Sequence, residues 1–198
     1  MGNHRLWGMR CYLSGAMDRA EDGGKQWREE ITPDLERLGI VVLNPYCKPI
    51  YVDVDPKIKD KKFREGLKQE GQYNVISKSY GRIRSLDLRL TSLADFLIVN
   101  IDMDIHLCGT YEELCLANGE GKPILIRCAQ GKEHMADWVF GMISHEHVFG
   151  EWGNLIDYLH HVHSDAEGVY DFGRWIFFDY SQLVPKISIE KSEHLVDL

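Results

Sequence analysis

The sequence predicts a doubly wound α/β fold, with a mainly parallel sheet flanked by helices. Three observations carry this. Apolar segments of strand length alternate with segments of helical period along most of the chain. The central apolar run, DFLIVNI at 95–101, is continuous, as expected of a strand covered on both faces. The clearest helical segments each carry one apolar stripe, which is what a helix laid on a sheet requires.

Taken in order, MRCYLS (9–14) reads as the first strand and runs into Gly15. Residues 24–38 read as a helix, because Trp27, Ile31, Leu35 and Leu38 recur at spacings of three and four, and Gly39 closes it. Residues 40–43 form a short buried strand stopped by Asn44-Pro45. The polar, lysine-rich segment 46–80 reads as a helix near 61–70 between mobile stretches. A connection that long suggests a functional lid or insertion.

Residues 83–93 form a helix with Ile83, Leu86, Leu90 and Leu93 on one stripe. The central strand follows, then a loop, a helix from about Thr110 to Asn118, and a strand at 123–127. A helix near 134–142, a strand near 147–149 and a helix near 151–163 complete the alternation. We place one α/β domain over 1–164 and a C-terminal extension over 165–198. Its aromatic stretch GRWIFFDY suggests an edge strand or an oligomer contact, and its last dozen residues suggest disorder.

The 198 residues suffice for one substantial core. A formal charge of −8 argues against a broad grip on polymeric nucleic acid or an anionic membrane. It leaves room for a small anion at a helix N-terminus. The five cysteines are odd in number and form no CxxC, so neither a disulfide framework nor a zinc ribbon is suggested. Free thiols in a reducing cytosol fit best, and a cytoplasmic location is expected. No stretch approaches the roughly 20 apolar residues of a membrane span. The N-terminus has no signal-peptide core. His145 and His147, and His160, His161 and His163, lack the HExxH spacing of a zinc helix, and no metal is expected.

In an open parallel sheet, ligands bind at the carboxyl ends of the strands. YLSGAMD after the first strand, NIDMDIHLCGT after the central strand, and the start of the next helix should converge there. Asp87 lies on or beside the apolar stripe of its helix, so its carboxylate must be paired, hydrogen-bonded or protonated. An ion pair with Arg82, Arg84 or Arg89 is the simplest partner. With Thr110 as N-cap, Glu113 completes a capping box. The same place at a helix N-terminus also suits an ionised nucleophile. Tyr12 reads equally as a core aromatic. Asp102, Asp104 and His106 are pocket contacts or plain loop solvation; the loop lacks the Gly and terminal Glu of a calcium-binding loop.

These residues resemble the nucleoside 2-deoxyribosyltransferase family, including its nucleoside-monophosphate N-glycosidase relatives. The resemblance covers about residues 9–160 and rests on YLSGAMD, IRSLDLRLTSLADFLIVN and CGTYEELCLANGEGKPIL in that order. It implies a Rossmann-like or flavodoxin-like fold, with Glu113 as nucleophile, Asp87 as the aspartate of the preceding helix, and Tyr12 as the tyrosine contacting the nucleophile.

The implied reaction cleaves the N-glycosidic bond of a nucleoside or nucleotide through a glycosyl-Glu intermediate. The sugar passes to a second base or to water. Substrate contacts are expected from Ser14, Gly15, Asp18, Asn44, Asn100, Asp102, Asp104, Gly109 and Thr110, and Arg19 and Lys25 are candidates for a 5′-phosphate. No cofactor is implied; a homodimer or larger homo-oligomer is. The chain departs from the family at Leu107, where some transferases carry an aspartate, and at Ala16, where relatives often have proline. The alternative is a nucleotide-sequestering protein on the same fold with weak or no catalysis.

Overall fold

The computed structural model describes residues 4–17, 20–48, 55–164 and 174–177. Strands β1 (Arg10–Gly15), β2 (Val41–Leu43), β3 (Phe96–Ile101), β4 (Ile124–Cys128) and β5 (Val148–Phe149) form one sheet in the order β2-β1-β3-β4-β5. Every pairing among the described residues is parallel. This is the flavodoxin-like order, with its switch point between β1 and β3, where connections leave toward opposite faces and a crevice opens at the strand ends.

Helices α1 (Lys25–Arg37), α2 (Lys61–Gln69), α3 (Tyr73–Leu93), α4 (Cys108–Gly119), α5 (Asp137–Met142) and α6 (Trp152–His163) complete the chain order. Cys11 and Leu13 of β1 and Phe96 and Ile98 of β3 pack into a core with α1 and α6. Tyr12, Leu97, Val99 and Ile101 pack into a second core with α3, α4 and α5. The period-two alternation of each strand therefore assigns side chains to one of two layers. Among the described residues, no helix is long and apolar enough to cross a membrane.

Two expectations are corrected. Helix α3 begins at Tyr73, ten residues before the predicted start at 83. Its 21 residues span about 30 Å, against about 20 Å for the six of β3. Because α3 runs antiparallel into β3, its first half projects beyond the carboxyl edge of the sheet. There it is largely exposed, with Tyr73 at 63%, and shows no apolar stripe to read.

The second correction concerns α4. It starts at Cys108 with Leu107 in the N-cap position and no side-chain cap. Thr110 is thus already inside the first turn, and the Thr110–Glu113 capping box does not form. Of the aromatic tail, only residues 174–177 are among those described. Residues 174–177 do not pair as a strand; Trp175 is buried against Phe96, and its indole N–H donates to the Tyr158 hydroxyl at 3.1 Å. The rest of the extension lies outside the described residues.

Candidate active site

Tyr12 and Ser14 are two apart on β1, so both face α4. The Tyr12 hydroxyl donates to Glu113 Oε1 at 2.8 Å, and the Ser14 hydroxyl donates to Glu113 Oε2 in a short contact. Both carboxylate oxygens of Glu113 are held. Burial pushes the Glu113 pKa up to about 7; the Ser14 and Tyr12 hydrogen bonds oppose the rise, Asp87 adds to it, and Arg28 opposes it. Glu113 sits in the second turn of α4, beyond the free N–H groups, so the helix terminus does little to keep it ionised. Its anion depends on hydroxyl donors instead. Burial, with Glu113 and Asp87 nearby, raises the Tyr12 phenol well above its usual value, so it remains a proton donor.

Asp87 is paired with none of the three arginines on its own helix. Its partner is Lys48, whose Nζ lies 2.7 Å from Oδ1, with the two side chains only 15% and 16% exposed. The contact is a close ion pair rather than a well-directed hydrogen bond, since Oδ1 is buried without a hydrogen-bond partner of good geometry. Burial raises the Asp87 pKa, and Lys48, then Arg28, oppose this.

Arg28, on α1, is 1% exposed. It donates to the carbonyls of Leu13 at 3.2 Å, Gly24 at 2.5 Å and Gly15 at 3.0 Å, and lies 4.4 Å over the Trp27 ring. Burial lowers its pKa to about 10, so it stays cationic at neutral pH. The turn that receives it requires glycine at 24: φ is 74°, and a Cβ there would lie 2.0 Å from the Ala16 carbonyl oxygen. Two carboxylates, Glu113 and Asp87, thus face two cations, Arg28 and Lys48, at the carboxyl end of β1.

Other expected contacts fall elsewhere. Gly15 offers no space to a ligand on its Cα, since a Cβ would lie 2.9 Å from Trp27. The Asn44 side chain accepts from the Tyr46 amide and caps the short 3₁₀ turn Pro45–Cys47. Asn100 accepts from Arg127 at 3.3 Å and, alternating with Val99 and Ile101, faces the α1/α6 layer, away from Glu113. Gln130 donates to Asp102 at 2.6 Å and to Asp104 at 3.1 Å, tying both into the loop after β3. Thr110 is buried one turn before Glu113 on the same helix face, and Gly109 is exposed beside it. Asp18 and Arg19 lie outside the described residues.

The amides at the start of α1 are also engaged: Asp22 accepts from Gly24 N at 2.8 Å and Gln26 N at 2.6 Å, and Lys25 pairs with Glu29 at 3.2 Å. Glu112, beside Glu113 in sequence, points outward and forms a forked ion pair with Arg84, whose Nε lies 2.8 and 3.0 Å from the two carboxylate oxygens.

Lys48 and Arg28 were missed by the sequence reading. Arg28 had a signal: with Ile31 and Leu35 it shares the apolar stripe of its helix, three and seven residues on. Lys48 had none, because its neighbour Asp87 is remote in sequence.

Fold and site together define a flavodoxin-like α/β protein with a cluster of acids and cations at the β1/β3 switch point. The fold is that of the 2-deoxyribosyltransferases. The enzyme of Bacillus psychrosaccharolyticus is 18% identical and superposes with a TM-score of 0.51 over 75% of this chain and 91% of its own. The Leishmania mexicana enzyme is 16% identical at a TM-score of 0.51, over 77% of this chain and 98% of its own. No protein-family model matches the sequence, and comparison with curated proteins finds no match.

Proposed function

We propose that the protein cleaves the N-glycosidic bond of a nucleoside or nucleotide and passes the sugar to a second base or to water. The observation that carries this reading is the buried Glu113 carboxylate, held at both oxygens by Tyr12 and Ser14 beside Asp87. The shared fold with two 2-deoxyribosyltransferases supports it.

In the proposed reaction the Glu113 carboxylate attacks the sugar C1′ as the bond to the base nitrogen breaks. A glycosyl ester forms and the electron pair leaves with the base. The transition state has oxocarbenium character, so a neighbouring anion stabilises it as well as attacking it. Tyr12 and Ser14 fix the direction of attack. Asp87, its pKa raised by burial, holds the sugar or carries a proton toward the departing base. Displacement of the ester by a base or by water then releases Glu113 with net retention.

The test incubates the protein with a panel of nucleosides and nucleoside monophosphates, with and without a free acceptor base. Chromatography reads released or exchanged bases, and Glu113→Ala is run in parallel. Turnover that vanishes in the variant supports the reading. Wild-type turnover in Glu113→Ala sinks the mechanism, and tight binding without product from any substrate assigns a sequestering role instead.

A further inference from the structure

A phosphate carried by a ligand at this edge would ordinarily be met by the first helix N-terminus of a doubly wound sheet. Here that place is filled from within, since Asp22 takes the Gly24 and Gln26 amides and Lys25 is paired with Glu29. The cations stand on another element. Lys61, Arg64 and Lys68 recur at spacings of three and four on α2, which puts them on one helix face. That face borders a cavity of about 480 Å³, together with Glu65, and the opposite wall is Asp104, Ile105 and His106 of the β3–α4 loop.

The wall charges are uneven. Lys61 and Lys68 are exposed on this wall, and one of its two carboxylates, Asp104, already accepts from Gln130 at 3.1 Å. Arg64 is fixed in place: it is 6% exposed, and its Nη1 donates to the Ile58 carbonyl at 2.9 Å. A basic helix face lining a cavity is unexpected in a chain of net charge −8 unless it has an anion to meet.

The position suits the proposed reaction. α2 packs against α3, whose first half projects beyond the carboxyl edge of the sheet, so the cavity lies on the same edge as Glu113. His106 lies two residues before α4, and Glu113 is in the second turn of that helix, so the loop wall of the cavity leads directly into the element that carries the carboxylate. Building on the proposed N-glycosidic chemistry, we propose that the cavity between α2 and the β3–α4 loop seats a phosphate monoester of the substrate. The substrate class is then a nucleoside 5′-monophosphate rather than a free nucleoside.

The experiment compares kcat/KM on a panel of the common nucleosides and their 5′-monophosphates, for the full chain and for Lys61→Ala/Lys68→Ala. The substituted side chains are exposed, so the variant folds. The expected wild-type preference is for the monophosphates, with inorganic phosphate competing against them. The double variant should lower the monophosphate-to-nucleoside ratio about 10- to 100-fold, mainly through KM, as expected for lost charge-assisted contacts. Lys62→Ala, on the same helix but outside the cavity, should leave the ratio alone. A nucleoside preference, or a ratio the double variant does not move, while Glu113-dependent turnover persists, overturns the phosphate seat and leaves the reaction standing.

If nothing is turned over, calorimetry on the same panel decides. Monophosphate binding weakened by the double variant supports the seat while the reaction falls. Equal binding of both classes, or none, overturns both.

Discussion

Glu113→Gln should make the protein more stable, and only at neutral and alkaline pH. The folded pKa of Glu113 is about 7, against an ordinary 4.5. Below 4.5 the carboxyl is neutral in both folded and unfolded chains and costs nothing. Between 4.5 and 7 the unfolded chain loses the proton and the folded chain keeps it, so stability falls as pH rises through that window. Above 7 both are ionised and the loss is complete. At 1.36 kcal/mol per pKa unit the loss amounts to about 3 kcal/mol.

Glutamine has no charge to desolvate. Its amide oxygen can accept from Tyr12, and its NH₂ can donate to the Ser14 oxygen. The variant should therefore match wild type near pH 4 and exceed it by about 3 kcal/mol at pH 8.5. For a chain of this size that is about 6–12 °C in Tm. Urea unfolding followed by circular dichroism, from pH 4 to 9 at constant ionic strength, measures it directly. A gap that does not vary with pH, or a variant less stable than wild type at pH 8.5, would refute the assignment of Glu113 as a buried, charge-strained carboxylate. The same substitution should remove turnover, a cost in stability retained for function.

Lys48→Met should shift the acid limb of kcat/KM to lower pH: losing the ammonium raises the Asp87 pKa further, which weakens the like-charge repulsion on Glu113 and lowers its pKa; a limb that holds its position would show that Lys48 does not govern the pair. Arg28→Met should destabilise the fold by about 3 kcal/mol in urea unfolding, because the carbonyls of Leu13, Gly15 and Gly24 lose a buried charged donor; a loss under 1 kcal/mol would contradict that accounting. Glu112→Gln should change stability by about 0.5 kcal/mol or less and leave turnover near wild type, since its pair with Arg84 is at the surface; a large loss of activity would mean that the two adjacent glutamates had been assigned the wrong way round.

Much of the fold was readable along the chain because each element has a local signature. The run 95–101 is apolar on both faces, and β3 is buried on both faces. The stripe of Trp27, Ile31, Leu35 and Leu38 lies on α1 and its C-cap, and Gly39, at φ 72°, closes the helix. Where a segment has no buried face, the signal fails. The first half of α3 projects past the sheet, and its sequence therefore reads as loop. Trp175 reads as aromatic in any context, and only the packed structure seats it against Phe96 rather than in a strand.

The site divides in the same way. The sequence by itself determined the alternation that makes a doubly wound sheet, the loops that must meet at its carboxyl edge, and the carboxylates those loops and helices carry. The family resemblance pointed to Glu113, and tertiary structure supplied the contacts that turn it inward. The capping box that Thr110 and Glu113 suggest locally does not form, whereas Glu113 is held by Tyr12 and Ser14, about a hundred residues earlier in the chain. Tertiary structure likewise decided that Asp87 pairs with Lys48 rather than with an arginine on its own helix, and that the amides at the start of α1 are spent on Asp22. These pairings join residues distant in sequence, and the energies that select them, desolvation and hydrogen-bond geometry, exist only once the chain has closed around them.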